Sequence, residues 1–169
     1  MQKVEKIYID LDGVLADFDG GVLKFCGYKL PDYNLPREKV FNEKLWQDLS
    51  QVPNFYRKLE LILGAKELFN FAVEKFGNKV EILSAIPRPE KNILNATEDK
   101  IAWCREYLSA DIKVNLCYRE EKQAFCLGKE YFLIDDLKRN IQEWENSGGT
   151  GILFINPEQT ISQLKNLLI

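Results

Sequence analysis

The sequence predicts an α/β fold: a five-stranded parallel sheet, doubly wound with helices on both faces, plus a small helical segment inserted after the first strand. Three observations carry that expectation. Short β-branched and aromatic runs recur along the chain, at IYI (7–9), KVEILS (79–84), 112–117, YFLI (131–134) and 152–155. Amphipathic helical patterns separate them, and strands that alternate with helices form parallel sheets because each crossover must return the chain to the same edge. Finally, 17–63 shows no strand-like alternation and is too long for a simple connection.

The opening strand lies in KIYIDLDGVLADF (6–18), whose Ile7, Tyr8 and Ile9 suit a strand buried on both faces. Asp10 and Asp12 follow where that strand should stop. Two carboxylates separated by Leu11 alone repel each other and resist desolvation unless a cation or strong donor sits beside them. Gly13 supplies the sharp exit from the strand end. In 17–63, Phe18, Val22, Leu23, Phe25 and Cys26 fall at helical spacing, Pro31 and Pro36 punctuate, 39–49 is a second amphipathic helix, and a short segment follows Pro53. This segment is expected to stand over the end of the first strand as a lid, dividing the chain into a core of 1–16 and 64–169 and a cap of 17–63.

A helix over 65–76 buries Leu68, Phe69, Ala72, Val73 and Phe76 and ends at Gly77 and Asn78. The second strand, 79–84, finishes on Ser84. After a loop with Pro87 and Pro89, a helix over 97–108 is expected, with Thr97 as its cap and Ile101, Ala102, Trp103 and Leu108 inside. The third strand, 112–117, runs into a charged loop, 119–122. The fourth, 131–134, ends on Asp135 and Asp136. A helix over 138–146 turns Ile141 and Trp144 inward and stops at Gly148 and Gly149, the fifth strand covers 152–155, and a helix over 161–168 closes the fold. The GGTG run at 148–151 precedes a strand rather than following one, so it terminates a helix and does not cradle a dinucleotide.

Composition narrows the function. A chain of 169 residues, 46% hydrophobic and 29% charged, can bury one full core. No apolar run approaches a membrane span and MQKVEK is no signal peptide, so a cytoplasmic setting with no membrane partner is expected. Cys26, Cys104, Cys117 and Cys126 lack metal-site spacing and are expected to be reduced thiols. The absence of histidine excludes Ser-His-Asp and Cys-His systems and imidazole-ligated metals. A cation at Asp10 and Asp12 would therefore be a hard one, magnesium first. The net charge of −3, without a concentrated basic face, argues against a nucleic-acid polymer as partner.

Parallel topology would gather Asp10, Asp12, Ser84, Lys122, Asp135 and Asp136 at one sheet edge. Taken singly, Ser84 is an ordinary strand-end hydroxyl and Lys122 a solvated charge. Together they are the parts of phosphoryl transfer: oxygen ligands for a cation, a hydroxyl, an ammonium and a carboxylate nucleophile. Phe18, Trp46, Phe55 and Tyr56 suit either an apolar core or a base-stacking pocket. Arg119 is expected to pair with Glu120 or Glu121.

At this point YIDLDGVLADF resembles the first motif of the haloacid dehalogenase superfamily of aspartate-nucleophile phosphatases, with its Rossmann-like core. Ser84 matches the second motif, Lys122 the third and FLIDD the fourth. The resemblance is closest to the 5'(3')-deoxyribonucleotidases, through DLDGVLADF, PNFYRKLELILGA (53–65), DKIAW (99–103), YREEK (118–122) and LIDD (133–136). It implies a magnesium-dependent phosphomonoesterase in which Asp10 attacks phosphorus and Asp12 acts as acid and then base. Ser84, Ala85 and Lys122 would bind phosphate. Magnesium would be held by the Asp10 carboxylate, the Asp12 carbonyl and Asp136, with Asp135 acting through water. Phe18, Tyr56 and Trp46 would face the nucleobase of a nucleoside monophosphate. Ser84 and Ala85 stand where these enzymes more often carry threonine and serine, which bears on substrate rather than chemistry. Alternatives are a non-nucleotide substrate such as a sugar phosphate, and a phospho-accepting or phosphate-binding module without turnover. The assembly expectation is a homodimer.

Overall fold

The computed structural model describes residues 3–36 and 38–169; Met1 and Gln2, which open the MQKVEK segment, and Arg37 lie outside them. Five strands, β1 (Lys6–Ile9), β2 (Val80–Ala85), β3 (Val114–Cys117), β4 (Tyr131–Asp135) and β5 (Thr150–Leu153), form one sheet in the order β3-β2-β1-β4-β5. Every pairing is parallel. In register, Ile9 lies beside Ile82 on one side and Ile134 on the other, and Asp10 N–H donates to Ile134 O at 3.0 Å, extending the ladder one residue beyond β1. The Asp10 and Asp135 segments are thereby level across the switch point between β1 and β4, where an open α/β sheet parts its crossovers and leaves a crevice.

Alternation along the strands splits the interior into two layers. On one face Ile7, Ile9, Ile82, Phe132 and Ile134 pack under α3 (Ala65–Phe76) and α4 (Ala96–Tyr107). On the other, Tyr8, Leu83 and Leu133 meet α5 (Lys138–Asn146) through Ile141 and Trp144. α6 (Pro157–Asn166) packs beside α3. Among the described residues, the helical elements between β1 and α3 are α1 (Phe18–Cys26), α2 (Lys39–Ser50) and a 3-10 turn at Tyr56–Lys58. Asp17 caps α1 by accepting from Gly20 N–H, and Gly27 ends it in the left-handed region. Phe18, Val22, Leu45, Leu49, Phe55 and Leu59 of this segment belong to the same apolar cluster as Ile7 and Ile9. Asp17 N–H to Glu60 O (2.8 Å) closes the two ends of the segment on each other, while Ile62 N–H to Leu15 O (2.9 Å) and Trp103 Nε1 to Leu59 O (2.8 Å) tie it to the loop after β1 and to α4.

β3 starts at Val114 rather than at 112, and four further expectations shift. Thr97 lies inside α4 rather than capping it, because Asn95 turns the chain in the left-handed region and the helix starts at Ala96. Ile101 is 37% exposed: the buried stripe of α4 is Asp99, Lys100, Trp103 and Cys104, two of them charged residues whose hydrogen bonds to Asn54 and Asp12 let them face inward. β5 begins two residues early because Gly149 and Gly151 let the backbone lie against Trp144 and Ile141, where a Cβ would collide. α6 starts at Pro157, capped by Asn156, whose side chain accepts from Gln159 N–H.

Candidate active site

The carboxyl edge of β1 turns sharply after Asp10. Leu11 O accepts from the N–H groups of Val14, Leu15 and Ala16, and Gly13, at φ +81°, runs so close to Asp136 that a Cβ would strike its carboxylate. This loop brings the 10–12 and 135–136 acids into one site. Carboxylate oxygens of Asp10, Asp135 and Asp136 lie within 4.8 Å of one another.

Lys122 arrives from the third strand's exit. The charged loop expected at 119–122 is a 3-10 turn, Arg119–Phe125, which turns Lys122 inward. Its ammonium lies 2.7 Å from Asp135 Oδ2 and 3.0 Å from Asp10 Oδ1. Burial opposes that charge, but Asp10 and Asp135 outweigh it and hold the lysine pKa above its ordinary value. Asp135 is wholly buried; besides Lys122, Asn140 Nδ2 (2.9 Å) donates to its Oδ2 and Leu137 N–H (2.9 Å) to its Oδ1. Asp10 Oδ1, also buried, has the Lys122 ammonium as its ion-pair partner.

The Asp12 carboxylate belongs to a second ion pair. Lys100, on the first turns of α4, puts Nζ 2.5 Å from Asp12 Oδ2 and 3.0 Å from Ser84 Oγ. Four carboxylates thus face two ammonium groups. The imbalance shows in the acids: burial, then the charges of Asp10 and Asp135, lift the Asp136 carboxyl to about 8, and burial followed by Asp10 raises Asp12 despite Lys100. A hard divalent cation held by oxygen ligands would restore the balance, so these residues fit one.

A cavity of about 350 Å³ opens over this edge, lined by Asp10, Asp12, Lys122 and Asp136 together with Phe18, Trp46 and Tyr56. Phe55 is instead buried against Phe18 and Tyr56. Ala85 lines the cavity; Ser84 does not, being wholly buried with its hydroxyl turned to Lys100. Arg119 lines it too, but pairs with Glu143 (2.7 Å) and Asn140 (3.1 Å). The expected partners are engaged elsewhere: Glu120 with Arg88, and Glu121 with Tyr118 N–H. Sequence reasoning also missed Lys100 and Asn140. Lys100 left a signal, a lysine three and four residues before Trp103 and Cys104 on the inward stripe of a helix. All four cysteines are free.

The family model described as "5' nucleotidase, deoxy (Pyrimidine), cytosolic type C protein" matches residues 3–163. No curated protein sequence matches the chain. Among solved structures, a HAD-superfamily hydrolase from Ehrlichia chaffeensis superposes with a TM-score of 0.57 at 17% identity, covering 100% of both chains. A hydrolase from Streptococcus pneumoniae TIGR4 gives 0.50 at 15% identity, over 97% of this chain and 100% of its own. A phosphonoacetaldehyde hydrolase-like protein from Oleispira antarctica gives 0.50 at 12%, over 98% and 84%. At such identities these likenesses establish a shared fold.

Proposed function

The chain belongs to that nucleotidase family, a phosphatase branch of the HAD superfamily, and on this premise we propose that it is a magnesium-dependent phosphomonoesterase hydrolysing nucleoside monophosphates through an aspartyl-phosphate. The observation that carries the reading is the gathering of Asp10, Asp135 and Asp136 within 4.8 Å, beside a buried ammonium and under an aromatic-lined cavity. The segment 17–63 serves as the cap that supplies the aromatics.

Asp10 attacks phosphorus, its carboxylate oxygen forming the new bond as the ester P–O bond breaks. Asp12 gives a proton to the departing sugar oxygen, then takes one from the water that attacks the aspartyl-phosphate and releases inorganic phosphate. Lys122 neutralises phosphoryl oxygens, with Ala85 on the cavity wall at the second strand's exit. Asp10, Asp136 and the Asp12 carbonyl would hold magnesium, and Asp135, saturated by protein donors, would act on it indirectly. When bound, the cation offsets the carboxylate charge that otherwise repels a phosphate dianion. Phe18, Trp46 and Tyr56 offer flat apolar faces to a base.

Hydrolysis should be screened over deoxy- and ribonucleoside monophosphates and sugar phosphates, with magnesium or a chelator. Turnover of nucleotides that disappears in chelator is expected. Preference for sugar phosphates, or undiminished turnover in chelator, would overturn substrate or cofactor respectively.

A further inference from the structure

The side chain of Lys100 is 2% exposed, and it stands behind the site rather than in it: Asp12 lines the cavity and Lys100 does not. Its ammonium is surrounded by Asp12 Oδ2 at 2.5 Å, Ser84 Oγ at 3.0 Å and the Tyr56 ring, whose centroid lies 4.4 Å away. Three donors meet three partners. The neighbouring residues of α4 are anchored as well: Asp99 accepts from Asn54 Nδ2 at 2.9 Å, and Trp103 Nε1 donates to Leu59 O at 2.8 Å. A buried ammonium is expensive to desolvate, and its partners make the site worth that cost only as a set.

Resting on the hydrolytic reading above, we propose that Lys100 is a positioning residue for proton transfer, fixing through Asp12 Oδ2 which carboxylate oxygen faces the leaving group. A free carboxylate turns readily about its last torsion, which has a broad two-fold profile. Tying Oδ2 to a lysine anchored in a helix removes that freedom and leaves Oδ1 for the cavity. Ser84 completes the mount: by accepting from Lys100 it keeps the ammonium aimed at Asp12, so this buried hydroxyl acts on the acid from behind the cavity wall. Lys122 already supplies the cation next to the nucleophile, which leaves Lys100 a task distinct from phosphate binding.

The test is Lys100→Met in the full chain with magnesium, assayed on a nucleoside monophosphate, whose leaving group needs a proton, and on 4-nitrophenyl phosphate, whose leaving group does not. The expected result is a loss of about 10²-fold in kcat on the nucleotide and under about threefold on the aryl ester, with both KM values nearly unchanged. In an Asp12→Asn background the same change should cost less than about twofold, since the group it positions is gone. Equal losses on both esters, a raised KM on both, or additive effects in the double variant would overturn the proposal. Should the methionine variant fail to fold by circular dichroism, Lys100→Gln, which retains a donor, takes its place in the same comparison. Failure of the hydrolytic reading looks different: the unsubstituted chain would turn over neither ester.

Discussion

Asp135 gives both carboxylate oxygens to protein donors, whereas Asp136, one residue on, lines the cavity beside Asp10. Their substitutions should therefore diverge. Asp135→Asn leaves Lys122 buried with half of its counter-charge and should destabilise the fold by about 3 kcal/mol, read by denaturant unfolding. Asp136→Asn should instead leave stability intact or raise it, and increase the magnesium concentration needed for half-maximal activity by at least about tenfold. Matching stability losses in both would refute the division of labour. Asp10→Asn should lower turnover by more than about 10³-fold without changing the fold, measured in steady-state assays alongside circular dichroism. The acids were legible in the sequence because two close pairs of like charges, one split by a single residue and one adjacent, at strand ends demand an explanation. Lys100 was not, because a lysine on a helix is ordinarily solvated, and only the fold brings residue 100 to residue 12. The orientation of Ser84 was hidden for the same reason, its partner being that unseen lysine.

Short elements set the precision of the site. The β1 exit loop needs Gly13 twice over, for its positive φ and for the space taken by Asp136, so Gly13→Ala should push Asp136 away and cut turnover by more than about tenfold while the sheet persists. Normal activity in that variant would show that the approach is dispensable. On α2, Trp46 reaches the cavity from one face of the helix, and Trp46→Ala should raise KM for a nucleotide by about tenfold with no matching change for a small aryl phosphate. An unchanged KM would make it packing. Helix α3 and helix α5 were legible to the residue, since glycine-bounded amphipathic stripes leave little choice. The edges of β5 and α6 were not, because Gly149 and Gly151 look like turn formers until Trp144 and Ile141 are known to press on them. The 3-10 turn at 119–125 escaped as well: a run of mixed charges looks solvated, and its inward lysine depends on acids at the ends of two other strands.

For the whole molecule, the carboxylate excess at the switch point couples charge to stability. With its pKa lifted to about 8 from an unfolded value near 4, Asp136 keeps a proton in the folded chain that the unfolded chain has already lost. Stability of the metal-free protein should therefore fall as pH rises from about 4 to 8, and magnesium should recover it most at the alkaline end. Thermal unfolding in chelator should show Tm lower at pH 8 than at pH 5.5 by several degrees, with magnesium erasing most of the gap. A Tm that rises with pH in chelator would contradict this. The parallel topology was legible from alternation alone, and among the described residues no helix is long and apolar enough to cross a membrane. What alternation could not reveal is that residues of 17–63 share one continuous apolar cluster with the sheet. That continuity has an evolutionary cost. A segment that shares its apolar interior with β1 and α3 is hard to exchange as a cassette between relatives, so new substrate preferences would come more readily by point changes along the cavity wall.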